Sequence, residues 1–147
     1  MEPRPEDAVR RLAEDPDFVT RLLVCERHSD VPSATLVDLV ERWHGHSRGD
    51  LLRHPRLPAE AVLGHAAGDS PRDREAIASR PDLPPELALR LLADPVAGVR
   101  RAAAANPNLS HDRLHQLLAD PDPLLREGAA GNPALPVEDM EQLLADS

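Results

Sequence analysis

Residues 91–109 read Leu91-Leu92-Ala93-Asp94-Pro95-Val96-Ala97-Gly98-Val99-Arg100-Arg101-Ala102-Ala103-Ala104-Ala105-Asn106-Pro107-Asn108-Leu109. The stretch ends on Pro-x-Leu, a motif that recurs every 26 residues along the 147-residue chain. Its copies in register are residues 54–58, 80–84, 106–110 and 132–136, with a degenerate copy at 28–32. A fixed period of about 20 to 50 residues indicates a stacked repeat array, in which neighbouring units share one core.

Each period contains the signals of two helices. Residues 84–93 predict the first helix, because proline is tolerated in a first turn and the apolar side chains follow i, i+3, i+4 spacing. Asp94-Pro95 predicts an N-cap and N1 pair for a second, shorter helix from Val99 to Ala105. Asn106-Pro107 predicts its end, with asparagine in a left-handed cap. The inward faces of the first helices are Leu36/Leu39/Val40, Val62/His65/Ala66, Ala88/Leu91/Leu92, Leu114/Leu117/Leu118 and Met140/Leu143/Leu144.

The fold class that follows is all-α, an α-solenoid of about five two-helix repeats. We expect one domain over residues 1–147, with an irregular capping unit at 1–27 and repeats starting near 29, 55, 81, 107 and 133. Aromatic residues make up 1% of the chain, which suits closely packed helices and argues against a β-sandwich. The sequence leaves open whether the second helices are α or 3-10.

The segment Leu91 to Leu109, and a second copy from Leu117 to Leu135, resembles the leucine-rich repeat variant family and the broader HEAT-like class. The resemblance implies a right-handed superhelix in which α-helices alternate with short 3-10 or α-helices. Some members of that family carry an iron–sulfur cluster in a cysteine-rich segment. This chain has only Cys25, so that cofactor is not expected here.

Composition narrows the classes of function. The net charge of −9 disfavours nucleic acid as a general partner, because phosphate binding requires a basic face. A single cysteine excludes an internal disulfide framework, and neither a signal peptide nor a membrane-spanning apolar run is found. These features predict a cytoplasmic protein. All 17 cationic residues are arginine, a coding bias that indicates a GC-rich bacterial genome. No phosphate loop, nucleophile elbow or isolated carboxylate pair is found, so we expect no enzymatic activity.

An arginine column follows the period at Arg48, Arg74, Arg100 and Arg126, and Asp94 and Asp120 lie six residues before the last two. One interpretation is a ladder that grips anionic ligands. The other is a structural ladder, in which each arginine pairs with an aspartate or with helix-terminal carbonyls and holds the repeats in register.

Val37, Leu63 and Leu89 lie on the flank of the first helices, and the same column becomes His115 and Glu141 in the last two repeats. This stripe is predicted either to form an exposed groove for a partner helix or peptide, or to widen the buried face.

Trp43-His44-Gly45-His46 interrupts the repeat where Asp-Pro is expected. With Arg42 and Arg48 it forms an aromatic and basic candidate binding site, or Trp43 fills a degenerate turn. Cys25, His28, His44 and His46 together supply enough ligands for one Zn²⁺. The column that His28 shares with His54, Arg80, Asn106 and Asn132 explains it as a helix-end residue, and we expect no metal.

The sequence therefore predicts a non-enzymatic protein-interaction module that presents the concave surface of its first helices. The alternative from another class is a HEAT-like nucleic-acid-binding or DNA-repair protein, which would collect Arg42, Arg48, Arg74, Arg90, Arg100 and Arg101 on that surface. The last unit, with Leu143 and Leu144, is expected either to be capped by its own acids or to stack on another molecule.

Overall fold

The computed structural model describes residues 4–45 and 48–147, and every regular element in those ranges is a helix. The bounds are α1 Pro5–Ala13, α2 Phe18–Arg27, α3 Ser33–Arg42, α4 Arg48–Leu52, α5 Ala59–Val62, a 3-10 helix Leu63–Ala67, α6 Pro71–Ala78, α7 Pro85–Leu91, α8 Ala97–Ala104, α9 His111–Leu118, α10 Pro123–Ala130 and α11 Val137–Ala145. The all-α prediction is confirmed for these residues.

The chain divides into two compact units, Met1–Gly64 and His65–Ser147, and the division falls within the 3-10 helix. The expectation of one continuous array over residues 1–147 stays a prediction.

The first helices begin every 26 residues, at Ser33, Ala59, Pro85, His111 and Val137. The repeated motif explains this regularity. The apolar residue of the motif is buried in the core of its own unit, and the backbone N–H of that residue closes a turn. The Leu109 N–H, for example, donates to the Asn106 carbonyl at 3.2 Å. The residue after it becomes the N-cap, and in Ser110 the hydroxyl accepts the Arg113 N–H at 3.2 Å. The motif residues buried in this way are Val31, Leu57, Leu83, Leu109 and Leu135, all at most 6% exposed.

The inward faces of the first helices follow the predicted spacing. In the first unit Leu36, Leu39 and Val40 are at most 1% exposed, and in the second unit Leu114 and Leu117 are at most 2% exposed. The prediction fails for the last helix, which has no buried residue among its nine. Its column of Met140, Leu143 and Leu144 is 39%, 36% and 77% exposed, because no second helix follows to cover it within the described residues.

The second helices are α-helices within the described residues. In the first unit α4 is shorter than α3, as expected, with five residues against ten. In the second unit α6, α8 and α10 have eight residues each, one more than α7 and as many as α9, so the expectation of a shorter second helix is wrong there. The 3-10 segment lies instead in a first-helix position, at 63–67. Gly64 lowers helix propensity there, and 3-10 geometry is common where an α-helix ends.

Small side chains let the second helices α8 and α10 approach one another closely. A Cβ at Gly128 of α10 would lie 2.5 Å from the Arg101 carbonyl oxygen and 2.7 Å from the Ala104 Cβ of α8. Only a residue without a side chain fits at that distance. The backbones of α8 and α10 are therefore in direct contact.

The predicted N-cap at Asp94 is wrong by two residues, and Asp120, one period later, likewise lies two residues before the cap. The caps are Val96 and Asp122, because the chain makes an extra turn before each helix. In that turn the Asp94 carboxylate accepts the Val96 N–H at 2.9 Å, and Asp120 accepts the Asp122 N–H at 2.9 Å. Each is an Asx-turn, in which the aspartate carboxylate accepts the backbone N–H two residues further along the chain.

Candidate functional site

Arg74 and Asp94 form a buried bidentate ion pair between two repeats of the second unit. The Arg74 Nε lies 2.8 Å from Asp94 Oδ2 and its Nη2 lies 3.2 Å from Oδ1, while Nη1 donates to the Gly68 carbonyl at 2.7 Å. Burial by itself would raise the pKa of Asp94, but the guanidinium and the Val96 N–H hold that pKa below its usual value. Through these bonds Arg74, which lies in α6, connects Gly68 in the turn before α6 with Asp94 in the turn before α8.

The next arginines of the column make related contacts. Arg100 Nε donates to Asp122 Oδ2 at 2.9 Å, and its Nη1 donates to the Asp94 carbonyl at 2.9 Å. Arg126 Nη1 donates to the Asp120 carbonyl at 2.6 Å. Asp122, rather than Asp120, supplies the carboxylate, and hydrogen bonds from the Leu124 N–H and from Arg100 lower the pKa of Asp122.

The arginine column of the first unit is represented by Arg48. It is 8% exposed, and its Nη1 donates to the carbonyls of Val40 and Trp43 near the end of α3. Orphan carbonyls at a helix C-terminus are the acceptors that a cation stabilises best. Across the column the guanidinium groups are bonded within the chain rather than presented as a ladder for anionic ligands.

Buried asparagines form a second ladder, which the sequence reasoning interpreted only as helix caps. Asn132 Nδ2 donates to the carbonyls of Ala104 and Asn106 at 2.9 and 2.8 Å, and its Oδ1 accepts the Ala134 N–H at 2.8 Å. Asn106 repeats the pattern one period earlier and is 1% exposed. The signal available in the sequence was the recurrence of asparagine at this column in consecutive repeats.

The candidate stripe of the first helices is exposed to different degrees. In the first unit Val37 is half-buried and Leu63 is 36% exposed. In the second unit Leu89 is 47% exposed, beside the fully buried Ala88. His115 continues the column and lies 3.1 Å from Asp139 Oδ1 of α11.

A notch of about 440 Å³ opens in the second unit between the end of the 3-10 helix and α7. The residues that line it are Ala66, Ala67, Gly68, Asp69, Arg74, Leu87, Arg90, Leu91, Ala93, Asp94 and Pro95. Ala66, one of these residues, stands one period before Leu92 and two before Leu118. We call this feature the notch.

Residues 97–122 match the family model described as Leucine rich repeat variant. That segment is therefore similar to one leucine rich repeat variant repeat. No curated protein and no solved structure matches the chain. The matched residues span α8 and α9, and they contain Arg100, Asn106 and Asp122, which make the contacts between repeats.

Outside the matched repeat variant segment, the first unit contains an aromatic cluster. The rings of Phe18 and Trp43 have centroids 5.4 Å apart at 36°, and the Arg21 guanidinium lies 5.5 Å above the Phe18 ring. Trp43 is half-buried, and a Cβ at Gly45 would lie 2.7 Å from its indole. Trp43 thus packs within the turn after α3, where the repeat period is broken.

The remaining residues of that candidate site are exposed. Arg42 pairs with Asp38 at 2.9 Å, and His44 is exposed. His46 lies outside the described residues.

No group of three metal-ligating side chains is found within residues 4–45 and 48–147. Cys25 is buried, and burial raises the pKa of its thiol to about 11, which disfavours the thiolate that a metal would need. Nor does any helix in the described part of the chain have the length and apolarity needed to cross a membrane.

Proposed function

We propose that this chain is a non-enzymatic protein-interaction module of the leucine rich repeat variant type. It binds a segment of a partner protein along the exposed flank of its first helices and acts in the cytoplasm. The observation that carries the proposal is the position of Leu89. This large apolar side chain is 47% exposed on α7, whose opposite face is fixed in the core by Ala88 and Leu91.

The two ladders support the same function. A binding surface on helices is useful when those helices keep their spacing, since a preorganised surface loses less entropy on binding. In the second unit Arg74–Asp94, Arg100–Asp122 and the asparagine ladder bind each repeat to the preceding one. Polar groups that are bonded internally leave apolar contacts, rather than charge recognition, as the main source of affinity.

The nucleic-acid alternative is disfavoured by the same contacts. It requires free guanidinium groups, because affinity for phosphates comes from cations that replace counterions. Of the six arginines that this alternative needs, Arg90 alone has no ion pair or carbonyl contact within residues 4–45 and 48–147. The other five are bonded to groups of the chain itself: Arg42, Arg48, Arg74, Arg100 and Arg101.

The experiment is a quantitative affinity capture from a lysate of the source cells. Wild type is compared with Leu89→Glu, Leu63→Glu and Trp43→Ala, and with Ala130→Glu as a matched control. Ala130 is exposed on α10, a second helix, so the control introduces the same charge away from the first helices. Circular dichroism confirms that each variant is folded.

We expect one or a few proteins to be captured by wild type and by Ala130→Glu, and to be lost with Leu89→Glu. Binding of the purified partner is then measured by calorimetry with both chains. Capture that is equal for wild type and Leu89→Glu would contradict the proposed surface. Capture of nucleic acid in place of protein would favour the alternative.

A further inference from the structure

Arg113 departs from the column that it occupies in the first helices. The equivalent residues of α3, α5, α7 and α11 are Thr35, Ala61, Leu87 and Asp139. Arg113 lies in the first turn of α9, where the helix dipole disfavours a cation. A residue that breaks a local rule without an evident structural gain is expected at functional sites.

The guanidinium group of Arg113 is only partly satisfied by the chain itself. Its Nη1 donates to Gln116 Oε1 at 3.1 Å, and its Nε is buried and lacks a hydrogen-bond partner among the described residues. Arg113 forms no ion pair within residues 4–45 and 48–147. By contrast, Arg74 and Arg100 are each bonded to an aspartate and to a backbone carbonyl. Because the planar fork of arginine binds a carboxylate through two parallel hydrogen bonds, Arg113 retains donors for an anionic group.

The repeat symmetry makes Leu89 a neighbour of Arg113. One period later the equivalent pair is His115 and Asp139, whose Nδ1 and Oδ1 atoms lie 3.1 Å apart. Because α7, α9 and α11 begin 26 residues apart, Leu89 of α7 and Arg113 of α9 take the same relative positions. The large apolar side chain on which the proposed function rests is therefore bordered by a cation of the following repeat.

A second cation borders Leu89 on the side of the preceding repeat. Arg90 is exposed and lines the notch together with Ala66 and Gly68 of that repeat, and it forms no ion pair in the described part of the chain. Glu86, the acid of α7, lies three residues before Leu89 in the first turn, where the helix N–H groups compensate its charge. The charges that remain for a ligand beside Leu89 are thus the two arginines.

We infer that the partner segment is acidic: one of its apolar side chains packs on Leu89, and an adjacent carboxylate pairs with Arg113, with Arg90 as the second cation. The inference rests on the proposed function and deepens it, since it names the chemistry of the partner. Apolar contact supplies most of the affinity, and the two arginines supply specificity and orientation. The net charge of −9 does not oppose this contact, because at about 0.15 M salt charges more than roughly 8 Å away are largely screened.

The probe is a random library of short peptides displayed on phage and selected on the immobilised full chain. Counter-selection against Leu89→Glu keeps the peptides that need the proposed surface. We expect these peptides to carry Asp or Glu next to a large apolar residue or one helical turn from it. Peptides without such an acid, or with arginine and lysine in its place, would overturn the inference and leave the proposed function intact. If no selected peptide depended on Leu89, both would be overturned.

Calorimetry with one selected peptide, made synthetically, then locates the carboxylate on the chain. Arg113→Gln removes the charge and keeps a hydrogen-bonding side chain, and we expect it to weaken binding about tenfold. Arg113→Lys, which keeps the charge but not the planar fork, should recover part of that loss, and Arg90→Gln should cost about threefold. Arg72→Gln is the matched control and should bind like wild type, because Arg72 is exposed on α6, a second helix.

A double-mutant cycle separates the ion pair from any effect of the variant on folding. The amide replaces the acid of the peptide, glutamine for glutamate or asparagine for aspartate, and both peptides are titrated into wild type and Arg113→Gln. The amide peptide should bind wild type about tenfold more weakly than the acidic peptide, whereas Arg113→Gln should bind the two alike. An equal loss in both chains would overturn the inference, because the arginine and the acid would then be uncoupled.

Discussion

The substitution Asn106→Ala tests the asparagine ladder most sharply. The Asn106 side chain is 1% exposed and makes three hydrogen bonds, to the carbonyls of Ala78 and Arg80 and from the Asn108 N–H, at 2.6, 2.9 and 2.9 Å. The Arg80 carbonyl also accepts the Leu83 N–H at 3.2 Å, so it keeps a partner when the amide is removed. The Ala78 carbonyl and the Asn108 N–H lose theirs.

The expected loss of stability follows from those two groups. A buried polar group left without a partner costs about 1–3 kcal/mol, so two of them cost roughly 2–4 kcal/mol once partial solvation of the loop is allowed for. That is a large fraction of the ~5–15 kcal/mol that stabilises a typical domain. The assay is urea unfolding followed by circular dichroism at equal protein concentration.

Asn108→Ala is the control for this prediction. Asn108 is the same residue type on the same loop, and its amide also donates to the preceding repeat, to the carbonyls of Pro81 and Leu83, but its side chain is exposed. Water can replace its bonds, so we expect a cost under about 1 kcal/mol. If Asn106→Ala were no more destabilising than Asn108→Ala, the burial argument would be refuted.

Three further predictions concern the second unit and its surface. Gly128→Ala should destabilise the protein by about 1–3 kcal/mol in thermal unfolding, because the new Cβ would collide with the Arg101 carbonyl oxygen. This loss is expected although alanine has a higher helix propensity than glycine. Gly64→Ala is the control: open space surrounds Gly64, so the substitution should be neutral or stabilising. Because the pKa of Asp94 is lowered in the folded state, its stabilisation is complete above its ordinary pKa and is lost as pH falls through the folded value. Asp94→Asn should therefore flatten the acid side of a melting-temperature profile between about pH 2 and pH 6, and an unchanged acid slope would show that the pair does not titrate as inferred. Leu89→Glu should change the unfolding free energy by less than about 0.5 kcal/mol, as expected for an exposed site, while it abolishes capture of the partner; a large loss of stability would place Leu89 in the core instead.

Much of the fold could be predicted because the period fixes the columns. Leu83, Leu109 and Leu135 recur at one position, and an apolar residue at each turn of a stacked array must enter the shared core. The first-helix starts follow from the prolines and from Ser110, since these residues favour the beginning of a helix.

The sequence was less informative where two local structures compete for the same residues. Asp94-Pro95 predicts a cap and a first helical residue, but the carboxylate forms a turn with Val96 and faces Arg74 of the preceding repeat. Asn106 before a proline predicts a cap, but its amide reaches across to Ala78. In both cases a contact between repeats overrides a local preference, and a single sequence does not encode the distance between repeats directly.

The sequence identified the apolar column on the first helices as a candidate surface, but it did not identify the notch. The Leu89 position was identified from its column alone, and its exposure agrees with a surface role. The notch was not identified, because its lining includes the end of a 3-10 segment that the pattern did not predict and the turn before α8.

The measurement that tests the central claim most directly is the hydrogen exchange of the asparagine side-chain amides, observed by NMR on the folded protein. The account predicts that the Nδ2 protons of Asn106 and Asn132, which join each repeat to the preceding one, exchange far more slowly than those of the exposed Asn108. Equally fast exchange of all three side chains would contradict the claim that buried amides hold these repeats together.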